Sequence, residues 1–180
     1  MVLWYKNRHD YPFNFETVTV AVFNKYPNPY ASHVLSVDTI DREIKDGKLH
    51  TTRLIKKVGK LPRWVKPFLR GINDSWIVEK TIIDPKSQNL QSYTRNLDHT
   101  KIIRVEEYTT YQYDSNLDKT NVVYNVKFSS GFKNVVRDRI EAYSHSKFQE
   151  NIKNTTMGMA YVMQKFQERR LLWAKNKATS

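Results

Sequence analysis

The hydrophobic pattern of this chain changes its period once, and this change limits the folds that the chain can adopt. From His33 to Phe128 apolar residues recur at every second position, which is typical of β-strands. From Phe132 to about Lys175 they recur at helical spacing, and no proline follows Pro85. The pattern predicts an α+β domain: a curved antiparallel meander of about six or seven strands, covered by one long C-terminal helix. Such an arrangement can enclose a ligand cavity.

Local patterns predict several elements within this plan. A short helix is expected from Phe15 to Lys25, with Val18, Val22 and Tyr26 at helical spacing. Asp46-Gly47 is typical of a tight hairpin turn. One side of the strand before the turn is expected to carry His33, Leu35 and Val37. One side of the returning strand is expected to carry Arg53, Ile55 and Lys57.

The positive charge is concentrated in one part of the chain. The formal net charge is +12, from 30 Lys and Arg against 18 Asp and Glu. Between Gly47 and Asn73 there is no acidic residue, and eight residues are basic: Lys48, Arg53, Lys56, Lys57, Lys60, Arg63, Lys66 and Arg70. A solvated strand face and loop would explain this charge, but so would an anionic partner, which could be nucleic acid, an acidic membrane surface or a phosphorylated ligand.

The segment from Leu61 to Gly71 combines aromatic and basic residues within a short amphipathic turn. Such a segment suits contact with a lipid headgroup layer, although Trp64 and Phe68 could equally fill the core. A lid over a cavity would satisfy both readings. The residues expected in this lid and membrane contact are Lys60, Leu61, Arg63, Trp64, Val65, Lys66, Phe68 and Leu69.

The long helix carries a polar interruption on one of its apolar stripes. The stripe of Val136, Ile140 and Tyr143 continues, in steps of four and three, to Lys147, Asn151 and Asn154. A lysine on a core-facing stripe needs a partner, because an unpaired charge in an apolar site is costly. Either an anionic ligand headgroup or a carboxylate such as Glu106 or Glu107 could supply it.

Several segments together resemble the PRELI family, in particular its fungal Ups-type phosphatidic acid carriers. The segments are 24–30 (NKYPNPY), 52–57 (TRLIKK), 61–71, 93–99 (YTRNLDH) and 157–160 (MGMA), and the likeness runs from Met1 to about Arg169. We therefore expect a single lipid-transfer domain over 1–172, followed by a tail over 173–180. The resemblance implies a carrier that moves phosphatidic acid between mitochondrial membranes, in support of cardiolipin synthesis. It also implies location in the intermembrane space, transient contact with anionic membrane surfaces, and a heterodimer with a small helical protein of the twin-cysteine-motif type.

The resemblance also implies which residues meet the lipid. The expected headgroup-binding residues are Lys25, His33, Arg53, Lys57, Lys147 and Asn151. Asn154 departs from the family pattern, since a fungal member has Lys there. The paired lysines Lys56 and Lys57 favour phosphatidic acid over phosphatidylserine. The strand and helix patterns, rather than the resemblance, give the expected cavity lining: Val122, Tyr124, Val126, Ile140 and Tyr143.

Other classes of function have weaker support in the sequence. A basic nucleic-acid-binding module is the main alternative, but the chain has no RNP-type octapeptide, zinc-finger spacing or helix-turn-helix pattern. We expect no enzyme, because no nucleophile elbow, phosphate-binding glycine loop or H-E-x-x-H pattern occurs. With no cysteine and five scattered histidines, no metal site or other cofactor is expected. No signal peptide and no run of about 20 apolar residues is visible.

Overall fold

Seven antiparallel strands form one sheet in the computed structural model, which describes residues 1–58, 74–131 and 137–178. The strands are β1 (Val2–Tyr11), β2 (Val34–Lys45), β3 (Lys48–Val58), β4 (Asp74–Asp84), β5 (Asn89–Asn96), β6 (Arg104–Asp114) and β7 (Lys119–Ser129). Their order across the sheet is β1-β7-β6-β5-β4-β3-β2, so each of β2 to β7 lies beside its neighbour in sequence. This confirms the predicted meander.

Among the described residues, two α-helices and one 3-10 turn accompany the sheet. Helix α1 spans Phe15–Phe23, the 3-10 turn spans Pro29–Ala31, and helix α2 spans Arg137–Ala178 with 42 residues. Helix α2 packs on α1, on the 3-10 turn and on β1. The result is the predicted helix-grip-like α+β fold, in which one face of the sheet is covered. Helix α2 also runs through most of the stretch that we assigned to a tail.

The hairpin between β2 and β3 forms as the sequence predicts. Asp46 and Gly47 have φ angles of 52° and 74°, which is the left-handed pair that a type I′ turn requires. Beyond this turn, Arg53, Ile55 and Lys57 share the inner face of β3, and the first two of these are buried. This part of the prediction is confirmed.

Two local predictions were wrong. Helix α1 ends at Phe23 rather than Lys25, because Asn24 caps it and its backbone N–H bonds back to Val20 and Ala21; Tyr26 is therefore not helical. His33, Leu35 and Val37 do not share a side, because His33 precedes β2 and the register shifts between Val34 and Ser36. Leu35 is 57% exposed as a result.

The first strand was missed altogether. Residues Val2–Tyr11 pair with β7 along its whole length, and their side chains alternate between solvent and the inner face. The inner side carries Leu3, Tyr5 and His9, a period-two signal that the frequent polar residues of this segment obscured.

The core lies between the inner face of the sheet and the two helices. The inner residues of β7 are buried as predicted: Val122, Tyr124, Val126 and Phe128. Helix α2 contributes the buried side chains of Ile140, Phe148, Met159 and Met163. The buried stripe of α2 therefore runs from Ile140 to Met163, and beyond it Leu171, Leu172 and Trp173 are exposed.

Gly158 lets α2 approach the segment between α1 and β2. The Asn28 amide donates to the carbonyl of Lys25 at 2.5 Å, and its oxygen accepts from the Tyr30 backbone N–H at 2.8 Å. A Cβ atom at Gly158 would lie 3.0 Å from both the oxygen and the nitrogen of this amide. Because both ends of the Asn28 side chain are held, it has little freedom to move away.

We expect Gly158→Ala to destabilise the protein, although alanine is the better helix former by about 1 kcal/mol. Crowding against Asn28 should cost about 2 kcal/mol, within the range for an overpacked site. Urea unfolding would measure a net loss of roughly 1 kcal/mol. The same change in an Asn28→Ala background should be neutral or stabilising. A Gly158→Ala variant more stable than the parent would contradict this role of Gly158.

Candidate ligand-binding site

A cavity of about 120 Å³ lies between α2, the inner faces of β3 to β6, and the segment that joins α1 to β2. Its walls mix polar and apolar groups, which include the hydroxyls of Ser92, Thr94 and Thr109. Of the six predicted headgroup residues, four line this cavity: Lys25, His33, Lys57 and Asn151. The fold therefore brings together residues that are far apart in the sequence.

On the wall of this cavity a buried carboxylate pairs with two of the predicted cations. Glu79 on β4 has no exposed surface and forms ion pairs with Lys25, at 2.6 Å, and with Arg53. The Nε atom of Arg53 donates to Glu79 Oε1 at 2.7 Å. Burial alone would raise the pKa of Glu79, but the charges of Lys25 and Arg53 hold it below the ordinary value. Lys25 and Arg53 therefore already have an anionic partner within the protein.

Arg53 also fixes the end of α1. Its Nη1 and Nη2 atoms donate to the carbonyls of Phe23 and Val22, at 2.9 and 3.1 Å. These carbonyls belong to the last turn of α1, which has no intrahelical donor for them and carries the negative end of the helix dipole. Arg53 is 3% exposed and is not among the residues that line the cavity. It supports the site from behind.

Lys57 is in a different electrostatic position from Lys25 and Arg53. Within the described ranges its ammonium group forms no ion pair and no hydrogen bond with another side chain. Burial lowers its pKa; Glu107 opposes this shift, while Lys147 adds to it. Its neighbour Lys56 points to the outer face of the sheet and pairs there with Asp74 at 2.9 Å. Only one lysine of the pair thus reaches the cavity.

Glu107 is a second carboxylate on the cavity wall. It lies on β6, in one cross-strand row with Arg53, Glu79 and Thr94. Its carboxylate accepts a hydrogen bond from the Thr109 hydroxyl at 3.1 Å, and burial raises its pKa. In the described part of the chain no cation lies within ion-pair distance of it.

The remaining predicted residues lie towards α2. Lys147 pairs with Glu150 at 2.5 Å, so its partner is a carboxylate on α2 and neither Glu106 nor Glu107, which the sequence had suggested as examples. Glu106 lies on the outer face, 3.6 Å from Lys127. Burial lowers the pKa of the His33 imidazole, as does the charge of Lys57, so His33 is neutral at neutral pH. Asn154 lines the cavity beside Asn151.

The other predicted sites lie elsewhere. Val122, Tyr124, Val126 and Ile140 are buried in the core and Tyr143 is half-buried; none of the five is among the residues that line this cavity. The predicted lid residues lie outside the described ranges. They are Lys60, Leu61, Arg63, Trp64, Val65, Lys66, Phe68 and Leu69.

Sequence reasoning missed the two inner carboxylates as parts of the site. A signal for Glu79 exists, since it falls in phase with Ile77, Thr81 and Ile83 along the inner face of β4. An acidic residue in the apolar phase of a strand needs an internal cation, which Arg53 on the adjacent strand supplies. Glu107 lies in the same phase as Thr109 and Tyr111, and was considered only as a partner for Lys147.

Two kinds of feature are not found among the described residues. No helix there is both long enough and apolar enough to cross a bilayer. No group of three or more His, Asp or Glu side chains there could hold a metal ion.

Comparison with known proteins gives matches along most of the chain. The profile of the PRELI-like family matches residues 16–169. "Protein UPS1, mitochondrial" of Saccharomyces cerevisiae is 54% identical over 171 residues, which cover 94% of this chain and 98% of the yeast protein. "PRELI domain-containing protein 1, mitochondrial" of Gallus gallus is 32% identical over 156 residues, covering 85% of this chain and 73% of that protein.

Solved structures with low sequence identity share the fold. TTHA0849 from Thermus thermophilus superimposes with a TM-score of 0.60 at 14% identity, covering 91% of this chain and 98% of that one. Ara h 8.0201 superimposes with a TM-score of 0.56 at 14% identity, covering 91% of this chain and 99% of that one. At this identity the likeness supports the fold alone.

We expect Glu79→Gln to destabilise the protein by about 3–5 kcal/mol, because it leaves Lys25 and Arg53 without their buried counter-charge. Chemical denaturation would measure the loss. Glu43→Gln makes the same change at an exposed position of β2 and should stay within about 0.5 kcal/mol of the parent. Equal stability of the two variants would show that the Glu79 carboxylate does not hold the cluster together.

The same carboxylate should make stability depend on acid pH. The folded-state pKa of Glu79 lies below its unfolded value, so the stabilisation is fully present above the unfolded pKa, about 4.3, and is lost as pH falls through the folded value. Unfolding free energies measured from pH 6 down to pH 3 should therefore fall more steeply in the parent than in Glu79→Gln. Parallel curves would contradict this assignment.

Proposed function

This chain belongs to the PRELI-like family, and from that premise we propose that it carries phosphatidic acid between the two mitochondrial membranes without changing it chemically. The names of its relatives support a mitochondrial location, and we propose the intermembrane space as the compartment. Delivery of phosphatidic acid would supply cardiolipin synthesis.

The observation that carries this proposal is the position of Lys57 on the cavity wall. Its ammonium is largely withdrawn from water and, among the described residues, has no ion-pair partner, so an anionic ligand would stabilise the charged form that burial disfavours. A phosphomonoester offers between one and two negative charges and several acceptor oxygens. Neutral His33 and the amide of Asn151 line the same cavity and could donate further hydrogen bonds.

The predicted headgroup residues then divide into two groups. We infer that Lys57, His33 and Asn151 contact the phosphate directly, and that Lys147 adds positive charge from α2. Lys25 and Arg53 act through Glu79, which together they hold in place. The combined charge of these two cations and Glu79 is formally +1, so this cluster still attracts an anion into the cavity.

The acyl chains explain why a carrier is needed, and they require more space than the cavity offers. Two chains contain about thirty methylenes, each worth ~0.8 kcal/mol on exposure to water, so unaided crossing of an aqueous gap is very slow. A cavity of about 120 Å³ suits a headgroup and is too small for both chains. We infer that α2 moves away from the sheet and that the acyl chains then extend beneath it. The residues along their path would be Val122, Tyr124, Val126, Ile140 and Tyr143.

Membrane contact and partnership complete the proposal. Within the basic segment between Gly47 and Asn73, the lid residues Lys60, Arg63 and Lys66 would favour transient binding to anionic membrane surfaces, at about 1 kcal/mol for each Lys or Arg near the surface. Arg53 and Lys57 of the same segment lie on the inner face of β3. We propose that the predicted lid residues in this segment make that contact. We further propose a heterodimer with a small helical protein of the twin-cysteine-motif type, as the family resemblance implies.

Neighbouring lysines offer a matched test of the site. Lys57→Met should lower the rate of phosphatidic acid transfer between liposomes by at least about tenfold, since one charge-assisted hydrogen bond is worth ~1.5–3 kcal/mol. Lys56→Met removes the same charge from the outer face and should change transfer much less. Transfer would be followed by dequenching of a fluorescent phosphatidic acid.

The outcome that would contradict the site is equal transfer by parent and variants. A double Lys57→Ala/Lys147→Ala variant should also lose preference for phosphatidic acid over neutral phospholipids. If this variant moved phosphatidic acid as fast as the parent, the phosphate would have to bind elsewhere. Equal losses for Lys56→Met and Lys57→Met would indicate that membrane attraction, rather than the cavity, limits transfer.

A further inference from the structure

Glu107 is out of place in a cavity that binds an anion. Its side chain lines the same cavity as Lys57, yet it lies on β6, three strands away from Lys57 on β3. A carboxylate on the wall of an anion site repels the ligand and attracts the cation that should bind it. Nothing in the proposed transfer of phosphatidic acid requires such a group.

The row of residues across the sheet shows why Glu107 differs from Glu79. Arg53, Glu79, Thr94 and Glu107 lie opposite one another on four successive strands. Glu79 lies next to Arg53 and is neutralised by it and by Lys25. Glu107 is separated from Glu79 by Thr94, about 10 Å further along the row at the usual strand spacing. Its hydrogen-bond donor is the hydroxyl of Thr109, a neutral group.

The positive and negative formal charges at the cavity nearly cancel. Among the described residues, three cations stand on or behind the cavity wall, Lys25, Arg53 and Lys57, against the carboxylates Glu79 and Glu107. One positive charge remains for the ligand. Glu79 forms ion pairs with two of these cations, whereas Glu107 forms none among the described residues and is attracted by Lys25 and, less strongly, by Lys57. Of the two carboxylates, Glu107 is the one that attracts Lys57. Without Glu107 the same cavity would offer twice the net charge.

We propose that Glu107 competes with the ligand phosphate for Lys57 and thereby sets how readily the protein releases its lipid. In the empty cavity Glu107 attracts the Lys57 ammonium across the cavity. A bound phosphate takes over Lys57 and is repelled by Glu107, so the bound state is weaker than the cations alone would make it. A carrier needs this limit, since a lipid held too tightly is not delivered. This inference rests on the proposed function.

The test separates binding from release. Glu107→Gln keeps the shape of the side chain and its contact with Thr109 while removing the charge. It should bind phosphatidic acid about fivefold or more tightly, in equilibrium partition against donor vesicles. Protein preloaded with fluorescent phosphatidic acid should release it to acceptor vesicles about fivefold or more slowly, in a single turnover. Glu106→Gln is the matched control, because Glu106 lies next in sequence on the outer face. It should behave as the parent does.

Each outcome decides between the two proposals. If the parent neither binds nor transfers phosphatidic acid, both proposals fall. If the parent transfers it and Glu107→Gln binds no more tightly than Glu106→Gln, only the role of Glu107 falls. Weaker binding by Glu107→Gln would also overturn it, because the carboxyl group would then be a contact of the ligand. If Glu107→Gln does not fold, Glu107→Asp can replace it, because its side chain is shorter by one methylene and places the charge further from the ligand. This variant must also bind phosphatidic acid more tightly and release it more slowly than the parent.

Discussion

The buried carboxylate of Glu79 is the interaction on which the rest of this structure depends. Through Arg53 it joins two strands, and through the remaining donors of Arg53 it holds the last turn of α1. Through Lys25 it also holds the segment that follows α1, where Asn28 meets the close approach of α2 at Gly158. A single buried charge thus connects the sheet to both helices, and the cavity lies where these elements meet.

The cluster of Glu79, Lys25 and Arg53 contributes less to stability than to the positions of the cations at the cavity. A buried ion pair often contributes little net stability compared with apolar residues of similar volume, because its charges lose their hydration. What the cluster provides is position: it fixes Lys25 on the cavity wall and Arg53 behind that wall, and it leaves Lys57 without an ion-pair partner among the described residues. Lys25 and Arg53 are paired with Glu79, whereas Lys57 is available to a ligand. An anion can therefore approach Lys57, but it cannot displace Glu79 without leaving two cations unpaired.

The architecture could be predicted from the sequence because the spacing of apolar residues differs between strands and helices. Alternation along β3 placed Arg53, Ile55 and Lys57 on one face, and the helical spacing after residue 132 predicted the helix that covers the sheet. It failed where one residue shifts the pattern. The bulge at Leu35 breaks the alternation of β2, so that Val34 and Val37 lie opposite Lys57 and Ile55 while Leu35 is exposed. The Asn24 cap ends α1 before Tyr26. Neither feature alters the hydrophobic pattern enough to be seen in advance.

The site could be predicted only in part, because the partners of its charged residues depend on contacts between distant parts of the chain. The family resemblance supplied the cations, but only the fold shows which of them already have partners. Glu79 and Glu107 are set by pairing across four strands, and such long-range pairing has no local signature in the sequence. The central claim, that Lys57 is the cation left for a lipid phosphate, is tested most directly by a crystal structure of the protein with a short-chain phosphatidic acid. We predict phosphate oxygens about 3 Å from Lys57 Nζ, inside the cavity between β3 and α2. A phosphate bound on the outer face of the sheet, with Lys57 paired to Glu107 in a closed cavity, would contradict the account.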